Sequence, residues 1–210
     1  MSVVLVVVLI QLSIIWTSCC IDYFTATALH RDTSSYAVIV RIALDESAHL
    51  LLPALIWLLS TFSVDLKIAA SNGTVTDLNK DIVRLYMHVI KYRNELFASM
   101  FVGVIIDIDH FVEARSLSLF AATHLDHRPI GHSLFCCVLV VLAVRLVLKD
   151  SRTPHVVLSG YVTHLLRDAT RRGLWVGQEL LGGGRTVVTS PLPISAVLLL
   201  YCVVIPVTNR

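Results

Sequence analysis

Charge is what this sequence lacks most. Asp, Glu, Lys and Arg supply 15% of its 210 residues, where a soluble domain carries about 25%. The chain is 56% hydrophobic with a mean hydropathy of +0.76, so it has too little polar surface to face water over its whole length. An excess of positive charge is missing too. The formal net charge is +2, and no basic patch with interleaved aromatics is present, so nucleic acid is not expected as a partner. The five cysteines fall as Cys19–Cys20, Cys136–Cys137 and Cys202, with no CxxC spacing. That supports neither a thiolate zinc site nor a disulfide scaffold. Cys19 and Cys20 are open to acylation at the end of an apolar run, but they read more simply as buried thiols packing as small hydrophobes. There is no internal repeat, and the "GGG" at 182–184 is too short to cradle phosphate.

Apolar runs are what the sequence has instead. "VVLVVVLIQLSIIWTSCCI" (3–21) is long enough to cross a hydrocarbon core, which takes about 20 residues. It has no basic n-region and is followed at once by Asp22, which favours a retained helix over a cleaved signal. Further spans are expected at 37–62, 94–111, 132–148, 154–175 and about 194–207, with Pro154 at a helix start where its missing N–H does no harm. The expectation is an all-α, multi-pass transmembrane helical bundle of about five to six spanning helices. It forms one membrane-embedded domain over 1–210, surrounded by lipid, with a polar loop at about 63–93.

Ionisable side chains inside such spans are expensive, about 2.5–3.5 kcal/mol each at a helix centre on insertion scales. Their placement is therefore informative. When the helices are threaded alternately, Asp22, Asp45, His49, Asp107, Asp109, His110, His132, His164 and Asp168 all come toward one side of the bilayer. Asp45/His49 and His164/Asp168 are i, i+4 pairs and Asp107/His110 is an i, i+3 pair, so each shares a helix face. In a regular helix Asp109 would point elsewhere, to a second ligand set or behind the first. Four helices offering His and Asp to one centre would make a metal site in a bundle core. Imidazole and carboxylate suit Zn, Mn or Fe. The expected ligands are His49, Asp107, His110, His132, His164 and Asp168. His124 and His127 have a zinc-like spacing but belong to an exposed loop, and Arg171, Arg172 and Lys91 to a solvated or headgroup face.

The blocks "DESAH" (45–49), "IDIDHF" (106–111), "RPIGHS" (128–133), "HLLRDATRRGLW" (164–175) and "TSPLP" (189–193) resemble, in that order, the transmembrane protein 267 family of animals, small multi-pass membrane proteins of unassigned biochemical role. More distantly, the pattern is similar to a bacterial inner-membrane family described as metal-dependent hydrolases. The matching positions are His49; Asp107, Asp109 and His110; Arg128, His132 and Ser133; and His164 and Asp168. Ile106 stands where that family has Pro, and Pro129 where it has Gly.

The resemblance implies a membrane-embedded, metal-dependent hydrolase. Asp109 or Asp45 would act as general base, and Arg128 or Arg167 would meet the anionic headgroup of a lipid-like phosphate or acyl ester. Two rivals remain open: a non-catalytic scaffold whose polar or metal cluster only fixes helix packing, and an ion or proton transporter, against which the one-sided clustering counts. Lys67, Lys80, Arg84, Lys91 and Arg93 argue for a cytosolic 63–93 loop, while use of the sequon at Asn72 would place that loop in the lumen.

Overall fold

The computed structural model describes residues 34–72, 78–126 and 128–177, together with Ser13, Trp16, Cys20, Ile21 and Tyr23. The first and last expected spans lie almost wholly outside the described residues, as do His127, the "GGG" and "TSPLP". The described chain is all-helical, with no strand. It divides into two compact units, Met1–Met100 with Val204–Arg210, and Phe101–Val203.

In the first unit, α1 (Ser35–Ser71) runs 37 residues, about 55 Å at 1.5 Å per residue. Its Tyr36–Phe62 stretch is the one helix among the described residues long and apolar enough to cross a membrane. The expectation of five to six spans therefore reduces to one clear candidate here. Helix α1 does not stop at Phe62, and α2 (Leu78–Lys91) follows it, so most of the expected polar loop at 63–93 is helix. Apolar residues at Ile82, Val83, Tyr86, Met87 and Ile90 recur with the helical period, and all five are exposed. Asp81 and His88 of α2 are buried instead.

His88 joins the two helices. Its Nδ1 lies 2.8 Å from Asp65 Oδ2 and its Nε2 2.8 Å from Thr61 Oγ1, both on α1. Phe62 packs edge-on to the ring. Burial lowers the His88 pKa, opposed by the hydrogen bond and charge of Asp65, with a further small lowering from Lys91. The neutral ring keeps its Nδ1 proton for Asp65, because an ionised carboxylate can only accept.

Helix α3 (Arg93–Ile105) carries the chain into the second unit. There follow α4 (Ile108–Glu113), α5 (Leu119–Thr123), a 3-10 turn at Ile130–His132, α6 (Leu134–Leu148) and α7 (Thr153–Arg172). Ile106, Cys137, Tyr161 and Leu165 form the core where α6 and α7 pack, flanked by Val102, Leu134, Val141 and Leu158. The α6–α7 turn is set by Lys149 in the left-handed region (φ 52°) and by Asp150. The Asp150 carboxylate accepts from the Arg152 and Thr153 amides at 3.0 and 2.8 Å and from the Thr153 hydroxyl at 2.5 Å.

This unit buries polar groups and exposes apolar ones. Val138, Leu139, Leu142, Leu146, Val147 and Leu148 of α6 are exposed, while Ser159, Thr163, His164, Arg167 and Asp168 of α7 are buried. In water that distribution would be costly; against hydrocarbon it is the favourable one.

Candidate metal centre

The centre begins with a break in the backbone. The 94–111 segment, expected as one helix, is interrupted at Ile106–Asp107. There the amides of Asp107, Asp109 and His110 bond three residues back, to Val104, Ile106 and Asp107, at 3.1–3.2 Å. A regular helix would set Asp107 and Asp109 about 200° apart. The tightened turn instead brings both carboxylates to His132: Asp107 Oδ1 is 3.1 Å from Nε2, and Asp109 Oδ2 is 3.1 Å from Nδ1.

The break has a second effect. The Asp107 amide bonds to Val104 rather than to Gly103, so the Gly103 carbonyl is available to His164 Nδ1, 2.7 Å away. A carbonyl only accepts, so His164 carries its proton on Nδ1 and turns the Nε2 lone pair inward. His132 likewise donates its Nδ1–H, to Asp109, while its Nε2 lies against the Asp107 carboxylate. The two Nε2 atoms face each other at 3.0 Å, with Asp107 Oδ1 beside them. Ligands about 2.0–2.1 Å from one ion, and about 90–110° apart around it, lie about 2.8–3.4 Å from each other. The donor set fits a divalent cation.

Other groups complete the ring. Asp168 Oδ2 is 3.9 Å from His132 Nε2. The His110 ring meets His132 edge-on at 4.6 Å, and its Nδ1 is 3.2 Å from Asp109 Oδ1 and 3.5 Å from Asp107 Oδ1. Two sets, Asp107–His110–His132 and His132–His164–Asp168, each offer ligand atoms all within 4.8 Å of one another. These could hold a metal ion.

The 3-10 turn aims His132, and two contacts fix it. Tyr161 on α7 donates to the Gly131 carbonyl at 2.5 Å. Ser133 caps α6, accepting from the Cys136 amide at 3.1 Å and donating to the Ile130 carbonyl at 2.8 Å. A Cβ on Gly131 would collide with the Asp109 carboxylate, so any larger residue here must displace that side chain or the turn. On the other flank Arg128 donates to Asp168 Oδ2 and to the Gly173 carbonyl, both at 2.9 Å, and Arg171 donates to Asp168 Oδ1 at 3.2 Å. Burial lowers the Arg128 pKa; Asp168 opposes that, and Arg172 and Arg171 add to it. The group remains a cation throughout the physiological range.

Five of the six expected ligands, and Asp109, thus gather in the second unit. The remaining ligand, His49, is buried in the first unit with its Nε2 4.0 Å from Asp45 Oδ1, and those two residues form a pair on α1. Arg167 is buried within α7. His124 is exposed and stacks on Phe120, in keeping with a loop residue. Sequence reasoning missed Gly103, Gly131, Tyr161 and the attachment of Arg171 to Asp168. Only Gly131 and Arg171 had a signal, since both lie inside the quoted blocks.

Comparison with known proteins gives similarity over part of the chain. It is 39% identical over 89 residues to Transmembrane protein 267 of Mus musculus, covering 39% of this chain and 41% of that protein. The protein of the same name in Danio rerio is 37% identical over 89 residues, or 39% of this chain and 40% of the relative. That of Bos taurus is 37% identical over 106 residues, or 47% and 46%. The chain thus spans less than half the length of the relatives it matches. No family model matches the chain. No solved structure matches it either.

Proposed function

We propose that this chain is an integral membrane protein that holds a divalent metal ion, and that the metal centre hydrolyses an ester. Membrane residence is supported by the name of the relatives, by the Tyr36–Phe62 stretch and by the exposed apolar faces of α2 and α6. Multi-pass insertion, with the apolar runs at 3–21 and about 194–207 as further spans, belongs to the same reading.

One observation carries the metal. His132 and His164 each have Nδ1 committed as a donor, to Asp109 and to Gly103. The Nε2 atoms of both rings and a carboxylate oxygen of Asp107 therefore converge at about 3 Å around His132 Nε2, the spacing of ligands about one ion. Asp107, His132 and His164 would hold that ion, with Asp168 or His110 completing the shell; Zn, Mn and Fe all suit these ligands. A bound ion of this kind supplies a polarised ester oxygen and an acidified water. Asp109, expected as a general base, holds His132 Nδ1, and we assign it the orienting role that carboxylates take behind metal-bound histidines. Asp45 has no part in this reading.

The test is elemental analysis of detergent-purified protein, wild type beside His132→Ala and His164→Ala. Near-stoichiometric Zn, Mn or Fe in the wild type, lost in both variants, is the expected result, and ester hydrolysis should disappear with it. A folded wild type that takes up no metal on reconstitution would overturn the proposal and leave the cluster as a polar core that fixes helix packing.

A further inference from the structure

Helix α2 is built inside out for water. Its exposed apolar side chains, Ile82, Val83, Tyr86, Met87 and Ile90, fall within an arc of about 140° around the helix axis. Asp81 and His88 lie about 20° apart on the opposite side, and both are buried. His88 faces α1, bonded to Thr61 and Asp65, and Asp81 accepts from Arg84 at 3.1 Å. An amphipathic helix of a water-soluble protein turns its apolar stripe to the core. Here the polar side packs and the apolar side is presented outward, the mark of a surface that meets a partner or a membrane.

His88 sets the level at which this happens. The Tyr36–Phe62 stretch of α1 is long and apolar enough to cross a membrane, and Asp65 and Lys67 follow directly upon it. Thr61 and Asp65 stand on either side of that boundary, so the ring they hold lies where hydrocarbon would give way to headgroups. Tyr86, Met87 and Ile90 are within one turn of His88 and share its level. At 14 residues α2 is about 21 Å long, too short to cross a hydrocarbon core of about 30 Å by itself.

The border of the stripe is basic. Lys80 and Lys91 fall within about 40° of Met87 around the axis, and both are exposed; the Lys91 Nζ stands 4.7 Å over the Tyr92 ring. Asp81 is the one acidic residue of α2 and is fully buried, so the outward surface of the helix carries no acid. An apolar stripe bordered by lysines suits a helix bedded at a bilayer surface, its apolar side chains among acyl chains and its ammonium groups among headgroups. Anionic lipids match both features, the stripe by their chains and the lysines by their charge.

We infer that α2 is a membrane-surface helix that binds anionic lipid, with Ile82, Val83, Tyr86, Met87 and Ile90 in the acyl region and Lys80 and Lys91 at the headgroups. The inference rests on the membrane-residence reading and owes nothing to the metal centre. Anionic lipids concentrate in the cytoplasmic leaflet, the side that the lysines and arginines of the 63–93 segment favour.

The experiment uses the full chain in vesicles of phosphatidylcholine and phosphatidylserine, with Tyr86→p-benzoylphenylalanine as a photocrosslinker. Met87 takes the probe if the Tyr86 variant fails to fold. Adducts are identified by mass spectrometry, and carbonate extraction of the same vesicles reports membrane residence separately. The expected adducts are lipids, with phosphatidylserine enriched over its share of the vesicle by at least about fivefold. In the same probe variant carrying K80Q/K91Q, two changes at exposed positions, the adducts should return to that share. Lipid adducts without enrichment, or with equal enrichment in K80Q/K91Q, overturn the anionic-lipid assignment. Adducts to protein, whether a second copy or another segment of this chain, overturn the lipid occupant altogether. So does an absence of lipid adducts from protein that resists extraction. If carbonate removes the protein, the membrane-residence reading falls and the inference falls with it.

Discussion

The Nε2 atoms of His132 and His164 face each other at 3.0 Å, each with the far side of its ring already donating. In the proposed metal reading an ion sits between them, and replacing the groups that hold the rings should therefore act through metal affinity. Asp109→Asn keeps the ligands but offers His132 an amide that no longer fixes its tautomer. The expected cost is about 10–100-fold in metal affinity, the range for partners behind metal-bound histidines, against complete loss for His132→Ala. Competition with a graded series of chelators measures both; equal loss in the two variants would argue against the orienting role.

Gly131→Ala places a methyl group on the Asp109 carboxylate. Asp109 must then leave His132, or the 3-10 turn must move. Metal affinity should fall as in Asp109→Asn, and stability should fall by about 1–3 kcal/mol, the usual cost of overpacking a filled site. Thermal unfolding with and without metal separates the two effects. An unperturbed variant would mean that the turn has slack.

The α1–α2 pair should loosen in acid. His88 has a folded pKa below its unfolded value of about 6.5 because it is buried. The unfolded state therefore takes up the proton first. The stability His88 contributes is present above about pH 6.5 and is lost as pH falls from there through its folded pKa. Asp65 and Lys91 are the charged groups acting on it, and Asp65 opposes the lowering. Hydrogen exchange in α2, corrected for intrinsic rates, should rise from pH 7 to pH 5 in the wild type. In His88→Gln it should not depend on pH over that window.

Asp150 should matter to the start of α7. Hydrogen bonds from Thr153, Arg152 and Ser151 hold its pKa at about 2, below the usual carboxylate value. Its contribution is therefore present above about pH 3.8 and lost as pH falls toward 2. Asp150→Ala should lower Tm at pH 7, and the difference from wild type should vanish at the acid end. A difference that persists there would mean that the carboxylate is not the source.

Much of the centre was legible in the sequence because its spacings are local. His164/Asp168 and Asp107/His110 share helix faces at any register, and alternation of helices places His132 beside them. The helix break at Ile106–Asp107 was not legible, since neither Gly nor Pro marks it. With it went the arrival of Asp109 at His132 and the use of the Gly103 carbonyl. His88 was missed for a different reason: its partners Thr61 and Asp65 are 27 and 23 residues away, on a stretch expected to have ended as helix by Phe62. The i, i+4 spacing of Thr61 and Asp65 was the available hint. Among the described residues only one expected span has the length and apolarity to cross a membrane: the 94–111 segment is broken at Ile106–Asp107, and α6, at 15 residues, falls short of the usual 20.

The break also bears on how the second unit assembles. The facing atoms of Asp107, His132 and His164 are separated along the chain by 25 and 32 residues, and the carbonyl that sets the His164 tautomer exists as an acceptor only once the α3–α4 turn has tightened. An ion gripping all three is a cross-link that closes two loops, each with an entropy cost that grows slowly with length. Affinity would thus be confined to chains in which α7 has already docked, and by mass action a bound ion would hold that docked state closed. Occupancy would then report assembly of the unit as well as its chemistry, and a chain starved of metal would fail first at α7.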